Sequence, residues 1–282
     1  MMDEFLVEPQ WLEAQLGQAD LVCLDCSWYI PEAGKSARAE FETAHIPGAQ
    51  FFDLDAASDA TSNYVNMLPS AEAFTKVAQA LGINADSRVV IYDSSYVSAR
   101  VWWMFRHFGH KNVAVLNGGW KRWQAEGRGV ESGAATPVVR GNFTARAADE
   151  GVATWQDVQA ALSDRSAGVV DARTRERFTG ELPSGYPGVA GGHMPGAVNV
   201  PWSGLLPQTG DFTFAPPEDA RAVLTGAGVN LDQPVIATCG SGVTAAILYF
   251  QMARLGKSDV TLYDGSWHEW GQRADLPKES LT

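Results

Sequence analysis

Cys239 stands between an apolar run, Val235–Thr238, and the short stretch Gly240-Ser241-Gly242-Val243-Thr244. Helical spacing of apolar residues then runs from Ala245 to Leu255 and closes at Gly256. This order reads as a buried strand, a tight turn and a helix. Two glycines in the turn let the backbone curl so that several N–H groups point at its centre, and the positive end of the helix dipole adds to them. Such a nest favours an anion. A thiolate placed there is stabilised and is a good nucleophile. The competing reading is a small apolar cysteine buried at a strand end. The glycine spacing and the helix start favour chemistry, because a motif counts when its structural context agrees.

Other residues with chemical potential carry less. Cys23-Leu24-Asp25-Cys26 has C-x-x-C spacing but lies at the end of a predicted strand, where alternation sends the two thiols to opposite faces. No second ligand pair accompanies them, so no metal site is expected. His45 and His193 each precede Pro-Gly-Ala and read as a repeated structural turn. The ten tryptophans fall on helices and turns without a basic patch, which fits packing rather than base stacking. No phosphate-binding or dinucleotide fingerprint follows any strand, so no cofactor is expected. A cysteine phosphatase needs an arginine six positions after its cysteine, and position 245 is alanine.

The elements that position Cys239 occur twice. Leu21–Asp25 has a counterpart in Gly168–Asp171, Ala44–Ala49 in Gly192–Ala197, Val89–Asp93 in Val235–Cys239, and Leu116–Trp120 in Tyr263–Trp267, at offsets of 146 to 148 residues. The offset far exceeds a solenoid period, so a whole domain is duplicated. The expected boundaries are 1–132 for the first domain, 133–150 for a small-residue-rich linker, and 151–282 for the second. Within each copy, β-branched runs such as Arg88–Tyr92 and Val113–Leu116 alternate with helical patterns over Ala71–Leu81 and Ala99–Phe108. The fold class is therefore α/β, two tandem domains, each a mostly parallel sheet with helices on both faces. Ligands of such sheets sit beyond the carboxyl ends of the strands, which selects Cys239 in the second copy and Asp93 in the first. Aspartate cannot act as a sulfur nucleophile, so chemistry is expected only in the second domain.

Composition bounds the rest. The 282 residues are 45% hydrophobic with net charge −12, a chain with a real core and no electrostatic affinity for nucleic acid. No run of 18 apolar residues is present, so no membrane span is expected. The acidic start Met1-Met2-Asp3-Glu4-Phe5 does not read as a signal or transit peptide. Three cysteines make no disulfide framework, and a cytoplasmic location is expected. An anionic substrate would need a local basic group.

The cysteine loop, together with Phe41-x-x-x-His45-Ile46-Pro47-Gly48-Ala49-x-x-Phe52 and Val260-x-x-Tyr263-Asp264-Gly265-Ser266-Trp267-x-Glu269-Trp270, resembles the two-domain rhodanese family, in its mercaptopyruvate-using branch. Phe51–Asp55 and Arg100–Arg106 extend the similarity over nearly the whole chain. The resemblance implies a sulfurtransferase without cofactor. Cys239 would take the sulfane sulfur of a small anionic donor, 3-mercaptopyruvate, as a persulfide and pass it to a thiol, such as thioredoxin, or to cyanide. The backbone N–H groups of Gly240, Gly242, Val243 and Thr244 would form the substrate-binding cradle, acting as oxyanion-type donors do.

In the same resemblance, Arg177 matches the carboxylate-binding arginine, a role that suits a planar bidentate partner. Arg173 is expected to pair with an acid and Arg175 to be a solvated surface charge. Thiosulfate-preferring members carry bulky basic residues after the cysteine, where this chain has Gly240 and Ser241. Two departures stand out. A second carboxylate-binding arginine is common about nine residues after the first, but Gly180–Gly188 contains no base. A serine–histidine–aspartate arrangement is matched by Ser241 and Asp55, with Asn66 at the histidine position; asparagine can orient a hydroxyl but cannot take its proton. The alternatives are a thiosulfate:cyanide sulfurtransferase and a non-catalytic module that keeps only the scaffold.

Overall fold

A computed structural model describes residues 4–148, 150–206 and 213–281. The chain divides into two compact units. The first comprises residues 4–60, 68–148 and 213–214, and the second residues 61–67, 150–206 and 215–281.

In the first unit the elements run β1 (Leu6–Val7), α1 (Pro9–Gln15), β2 (Leu21–Asp25), α2 (Ala37–Thr43), β3 (Gln50–Phe51), α3 (Ala71–Ala80), β4 (Arg88–Tyr92), α4 (Ser98–His107), β5 (Val113–Leu116) and α5 (Gly119–Ala125). In the second they run β6 (Val152–Ala153), α6 (Trp155–Asp164), β7 (Gly168–Asp171), α7 (Arg175–Thr179), β8 (Val198–Asn199), α8 (Pro217–Gly226), β9 (Val235–Thr238), α9 (Ala245–Arg254), β10 (Val260–Tyr263) and α10 (Ser266–Trp270). Among the described residues each unit has a five-stranded sheet, ordered β1-β5-β4-β2-β3 in one and β6-β10-β9-β7-β8 in the other. Every pairing is parallel. The identical order makes the duplication visible in topology. Consecutive residues of β4 and β9 are buried, as they are when helices cover both faces of a parallel sheet.

Helix boundaries follow local chemistry. Ser36 and Ser70 accept the N–H groups of Ala39 and Ala73 at the starts of α2 and α3, and Thr154 with Asp157 forms a capping box on α6. The turn histidines are alike in both units. His45 stacks on Phe41 at 3.9 Å and donates Nδ1–H to its carbonyl, while His193 does the same with Phe178. Both are buried and pair through the backbone with Glu131 and Glu279, so they hold turns rather than ligands. The segment 141–146 runs along the first unit, with Gly141, Phe143 and Arg146 donating to Gln79, Ile83 and Phe108. No helix among the described residues is long and apolar enough to cross a membrane.

Asp25, at the carboxyl end of β2, is buried and accepts the Ser27 N–H at 2.8 Å. Burial pushes its carboxyl up to about 6, with the neighbouring Asp93 adding in the same direction. The folded state therefore holds this proton more tightly than the unfolded chain does. The associated stability is present below the ordinary carboxylate range and is lost as pH rises towards 6. A difference of about two pH units corresponds to about 3 kcal/mol. Asp25→Asn keeps an acceptor for Ser27 and has no proton to lose. Urea unfolding of both proteins at pH 4 and pH 7 is expected to show the wild type losing about that much more stability across the interval. Parallel losses in the two proteins would show that Asp25 is ionised throughout.

Candidate active site

The backbone fixes Cys239 before its side chain does anything. β9 ends at Thr238, and the next residue is 1% exposed. Its N–H donates to Ser266 Oγ at 3.2 Å, and its carbonyl accepts the Trp267 N–H at 2.9 Å. The Gly240 carbonyl accepts the His268 N–H at 2.8 Å. The loop is thus tied at two successive residues to the start of α10. Ser266 sits at φ +48° and donates its hydroxyl to Tyr263 O at 2.8 Å. Its counterpart in the first unit is Gly119 at φ +51°, so a serine occupies a left-handed position that glycine fills in the other copy. The side chain gained there is the group that accepts the Cys239 N–H.

The first unit shows what this kind of loop binds. Asp93 follows β4 as Cys239 follows β9, and its carbonyl accepts the Trp120 N–H at 2.9 Å. Its carboxylate accepts the N–H groups of Ser95 at 2.9 Å, of Val97 at 2.8 Å and of Ser98. A negative group on the side chain at this position is therefore held by the backbone of its own turn. Burial pushes the Asp93 carboxyl up, and the three N–H donors pull against that rise. At the offset of 146 residues, the corresponding amides of the second unit belong to Ser241, Val243 and Thr244. Ser241, Gly242 and Val243 are buried, Gly240 and Thr244 are half-buried, and Gly242 turns the chain at φ +79°.

The three arginines around α7 separate cleanly. Arg173 is buried against Asp171, with Nε and Nη2 on the carboxylate at 2.9 and 2.6 Å, and it lies over the Trp267 ring. It is a structural ion pair. Arg175 is exposed. Arg177 is half-buried, and its guanidinium packs on Gly185, where a Cβ would come within 2.8 Å of Nη1. Gly185 is also at φ +91°, so both space and backbone require glycine there. The next residue, Tyr186, places its phenol oxygen 3.0 Å from the point a Cβ on Gly240 would occupy. Tyr186 thus meets the cysteine loop at Gly240, and Arg177 packs on the residue that precedes Tyr186.

Asn66 is buried at φ +58° and groups with the second unit. Asp55 belongs to the first unit, where it accepts the Trp28 indole N–H at 2.8 Å. Cys23 packs in the core with Leu12 and Phe41, and Cys26 donates its thiol to Tyr92 O. Burial pushes both thiols up, away from reactivity. Among the described residues no group of three or more His, Cys, Asp or Glu side chains could hold a metal ion.

The rhodanese-like domain model matches this sequence twice, over residues 8–126 and 154–273. The chain belongs to the rhodanese family. Among its relatives, human 3-mercaptopyruvate sulfurtransferase is 44% identical over 277 residues, covering 95% of this chain and 92% of the relative. Rat thiosulfate sulfurtransferase is 40% identical over 278 residues, with the same coverage of both chains. The crystal structure of the Escherichia coli 3-mercaptopyruvate sulfotransferase SseA superposes with a TM-score of 0.85 at 35% identity, covering 93% of this chain and 98% of that one. The two rhodanese-like domains correspond to the two α/β sheets described above.

Ser266, Tyr186 and His268 meet the cysteine loop without a sequence pattern that marks them. Ser266 could have been found by comparing the repeats position by position, since it faces Gly119. Tyr186 lies nine residues after Arg177 in a stretch without a base. His268 lay inside the C-terminal motif at a position the resemblance left open.

Proposed function

We propose that this protein is a sulfurtransferase that takes the sulfane sulfur of 3-mercaptopyruvate onto Cys239 and delivers it to a thiol or to cyanide. The reaction belongs to the second domain, expected at 151–282. The first, 1–132, carries Asp93 in place of the nucleophile, and residues 133–150 join the two.

The Cys239 thiolate attacks the donor sulfur. The carbon–sulfur bond breaks, its electron pair goes to carbon, and the resulting enolate takes a proton to become pyruvate. Cys239 is left as a persulfide whose outer sulfur is electrophilic. An acceptor thiolate attacks that sulfur, the sulfur–sulfur bond breaks, and the Cys239 thiolate is restored. In a dithiol acceptor of the thioredoxin type, its second thiol closes a disulfide and releases hydrosulfide. Cyanide takes the same sulfur as thiocyanate. Cys239 stays a free thiol between turnovers, which suits a reducing compartment such as the cytoplasm.

The observation that carries this reading is the grip of the Asp93 carboxylate by the N–H groups of Ser95, Val97 and Ser98. In the homologous turn the anion to be held is the thiolate or persulfide of Cys239. Preorganised backbone donors stabilise such charge without reorganising during the reaction. Ser241, in the cysteine loop, is proposed as a second catalytic residue beside Cys239, with Asn66 in place to orient its hydroxyl. The absence of bulky basic side chains at Gly240 and Ser241 favours a monoanionic 2-oxo acid over thiosulfate.

Intact-protein mass spectrometry after brief exposure to each donor tests the reading. Wild-type protein is expected to become heavier by one sulfur with 3-mercaptopyruvate and to load less with thiosulfate. Loading by thiosulfate alone would reassign the donor. Loading by neither would leave a binding scaffold.

A further inference from the structure

Ser266 is fully buried in a turn that is braced on both sides. Before it, the Tyr263 hydroxyl donates to Glu269 Oε2 at 2.8 Å, and that carboxylate lies so close over Gly265 that a Cβ there has no room. The Glu269 N–H closes back on Gly265 O at 2.9 Å. After it, the Trp267 indole donates to Ala190 O at 2.7 Å and lies under the Arg173 guanidinium. The hydroxyl of Ser266 therefore projects from a rigid frame.

That hydroxyl is saturated. It donates to the Tyr263 carbonyl at 2.8 Å and accepts the Cys239 N–H at 3.2 Å and the Thr238 hydroxyl at 3.4 Å. One proton and two lone pairs are all a hydroxyl has, so nothing is left for a ligand. Its bonds go instead to the last residue of β9 and to the residue that follows it. The Cys239 backbone is gripped at its N–H by Ser266 and at its carbonyl by the Trp267 N–H.

The two copies treat this position differently. In the first unit a Cβ at Gly119 would collide with the Asp93 carbonyl oxygen, so that copy has no room for a side chain. In the second unit the chain admits one, although the residue sits at φ +48°, where an L side chain is disfavoured. Strain of this kind persists only where the surroundings over-determine it, and it clusters at functional sites. The chemistry of the neighbouring residue explains the difference. Asp93 anchors itself, because its carboxylate takes three backbone N–H groups of its own turn. Sulfur is a weak hydrogen-bond acceptor, so a cysteine in the same place has to be aimed by its backbone.

We propose that Ser266 is the positioning residue of the nucleophile: by fixing the Thr238–Cys239 peptide it directs the Cys239 sulfur at the amides of Ser241, Val243 and Thr244. The proposal rests on the sulfur-transfer reading and adds to it a residue that touches neither donor nor acceptor.

The test is rapid-quench measurement of persulfide formation by the whole chain, read by intact mass against concentration of the donor that loads the wild type, for wild type, Ser266→Gly and Ser266→Ala. Both variants lose the hydroxyl; glycine also relieves the left-handed strain, and alanine keeps it. Ser266→Gly should therefore melt about two degrees or more above Ser266→Ala. Both should nonetheless form persulfide about ten-fold or more slowly at saturating donor, by the same factor, because a misaimed nucleophile is slow however tightly the donor binds. The donor concentration giving half the maximal rate should stay within about two-fold of wild type. Rates that follow the two stabilities, a wild-type rate in Ser266→Gly, or a change confined to the half-saturating concentration overturns the assignment of Ser266, while wild-type loading leaves the sulfur-transfer reading standing. Failure of the wild type to load with either 3-mercaptopyruvate or thiosulfate removes both.

Discussion

Cys239→Ser should form no persulfide with any donor and retain less than about one-thousandth of the wild-type rate of thiocyanate formation. A loss of that size corresponds to about 4 kcal/mol of transition-state stabilisation. The reason is chemical rather than structural. A hydroxyl in the cradle is not ionised near neutral pH and does not bond sulfur reversibly, whereas a thiolate does both. Structure should be untouched, because the bonds that fix residue 239 run through its N–H to Ser266 and its carbonyl to Trp267, not through its sulfur. Serine differs from cysteine there by one atom in a site that is 1% exposed. The thermal unfolding midpoint should therefore stay within about two degrees of the wild type. Cys23→Ser serves as the control: its thiol lies in the core of the first unit, so its effect should fall on stability and leave the rate per folded molecule intact. A Cys239→Ser protein that keeps a tenth of the activity would move the nucleophile elsewhere.

Much of this site is legible in the sequence because it is local. The strands Arg88–Tyr92 and Val235–Thr238 have the expected limits, since an apolar run of that length between turn residues has few other uses. The repeat offsets anticipate two sheets of identical order. The helix expected over Ala99–Phe108 runs instead over Ser98–His107. Asp93 explains its start: its carboxylate gathers the N–H groups of Val97 and Ser98, and a side chain five residues upstream is not where a helix cap is sought. The two-residue strands Leu6–Val7 and Val152–Ala153 are too short for any periodicity and exist because β5 and β10 offer them an edge. What sequence could not supply is the side of the cleft that depends on two loops meeting. Gly180–Gly188 carries no base, yet its tyrosine reaches Gly240. Asp93 stands in sequence where the nucleophile of the second copy does, and its carboxylate is held by the N–H groups of its own loop.

Arg177→Met should lower kcat/KM for 3-mercaptopyruvate about a hundredfold, mostly through KM, while Arg175→Met should change it by less than about two-fold. The two residues share α7 and a formal charge and differ in surroundings. Arg175 is exposed, where a charge is screened and worth little. Arg173, two residues before it, is neutralised by Asp171. Arg177 is half-buried on Gly185, and among the described residues no carboxylate forms an ion pair with its guanidinium. In a chain of net charge −12, a partly desolvated cation without an acid beside it is costly unless an anion arrives from outside. Gly185, on which the guanidinium packs, precedes Tyr186, whose phenol oxygen lies against Gly240 of the cysteine loop. The effect should fall on KM because the donor's carboxylate carries the same charge before and during sulfur transfer, and uniform binding of that kind leaves kcat alone. Arg177→Lys should recover only part of the loss, since an ammonium gives one point of charge where a guanidinium gives a planar fork matched to a carboxylate. If Arg177→Met loaded sulfur from 3-mercaptopyruvate at wild-type KM, the carboxylate would have to be held by the loop amides alone.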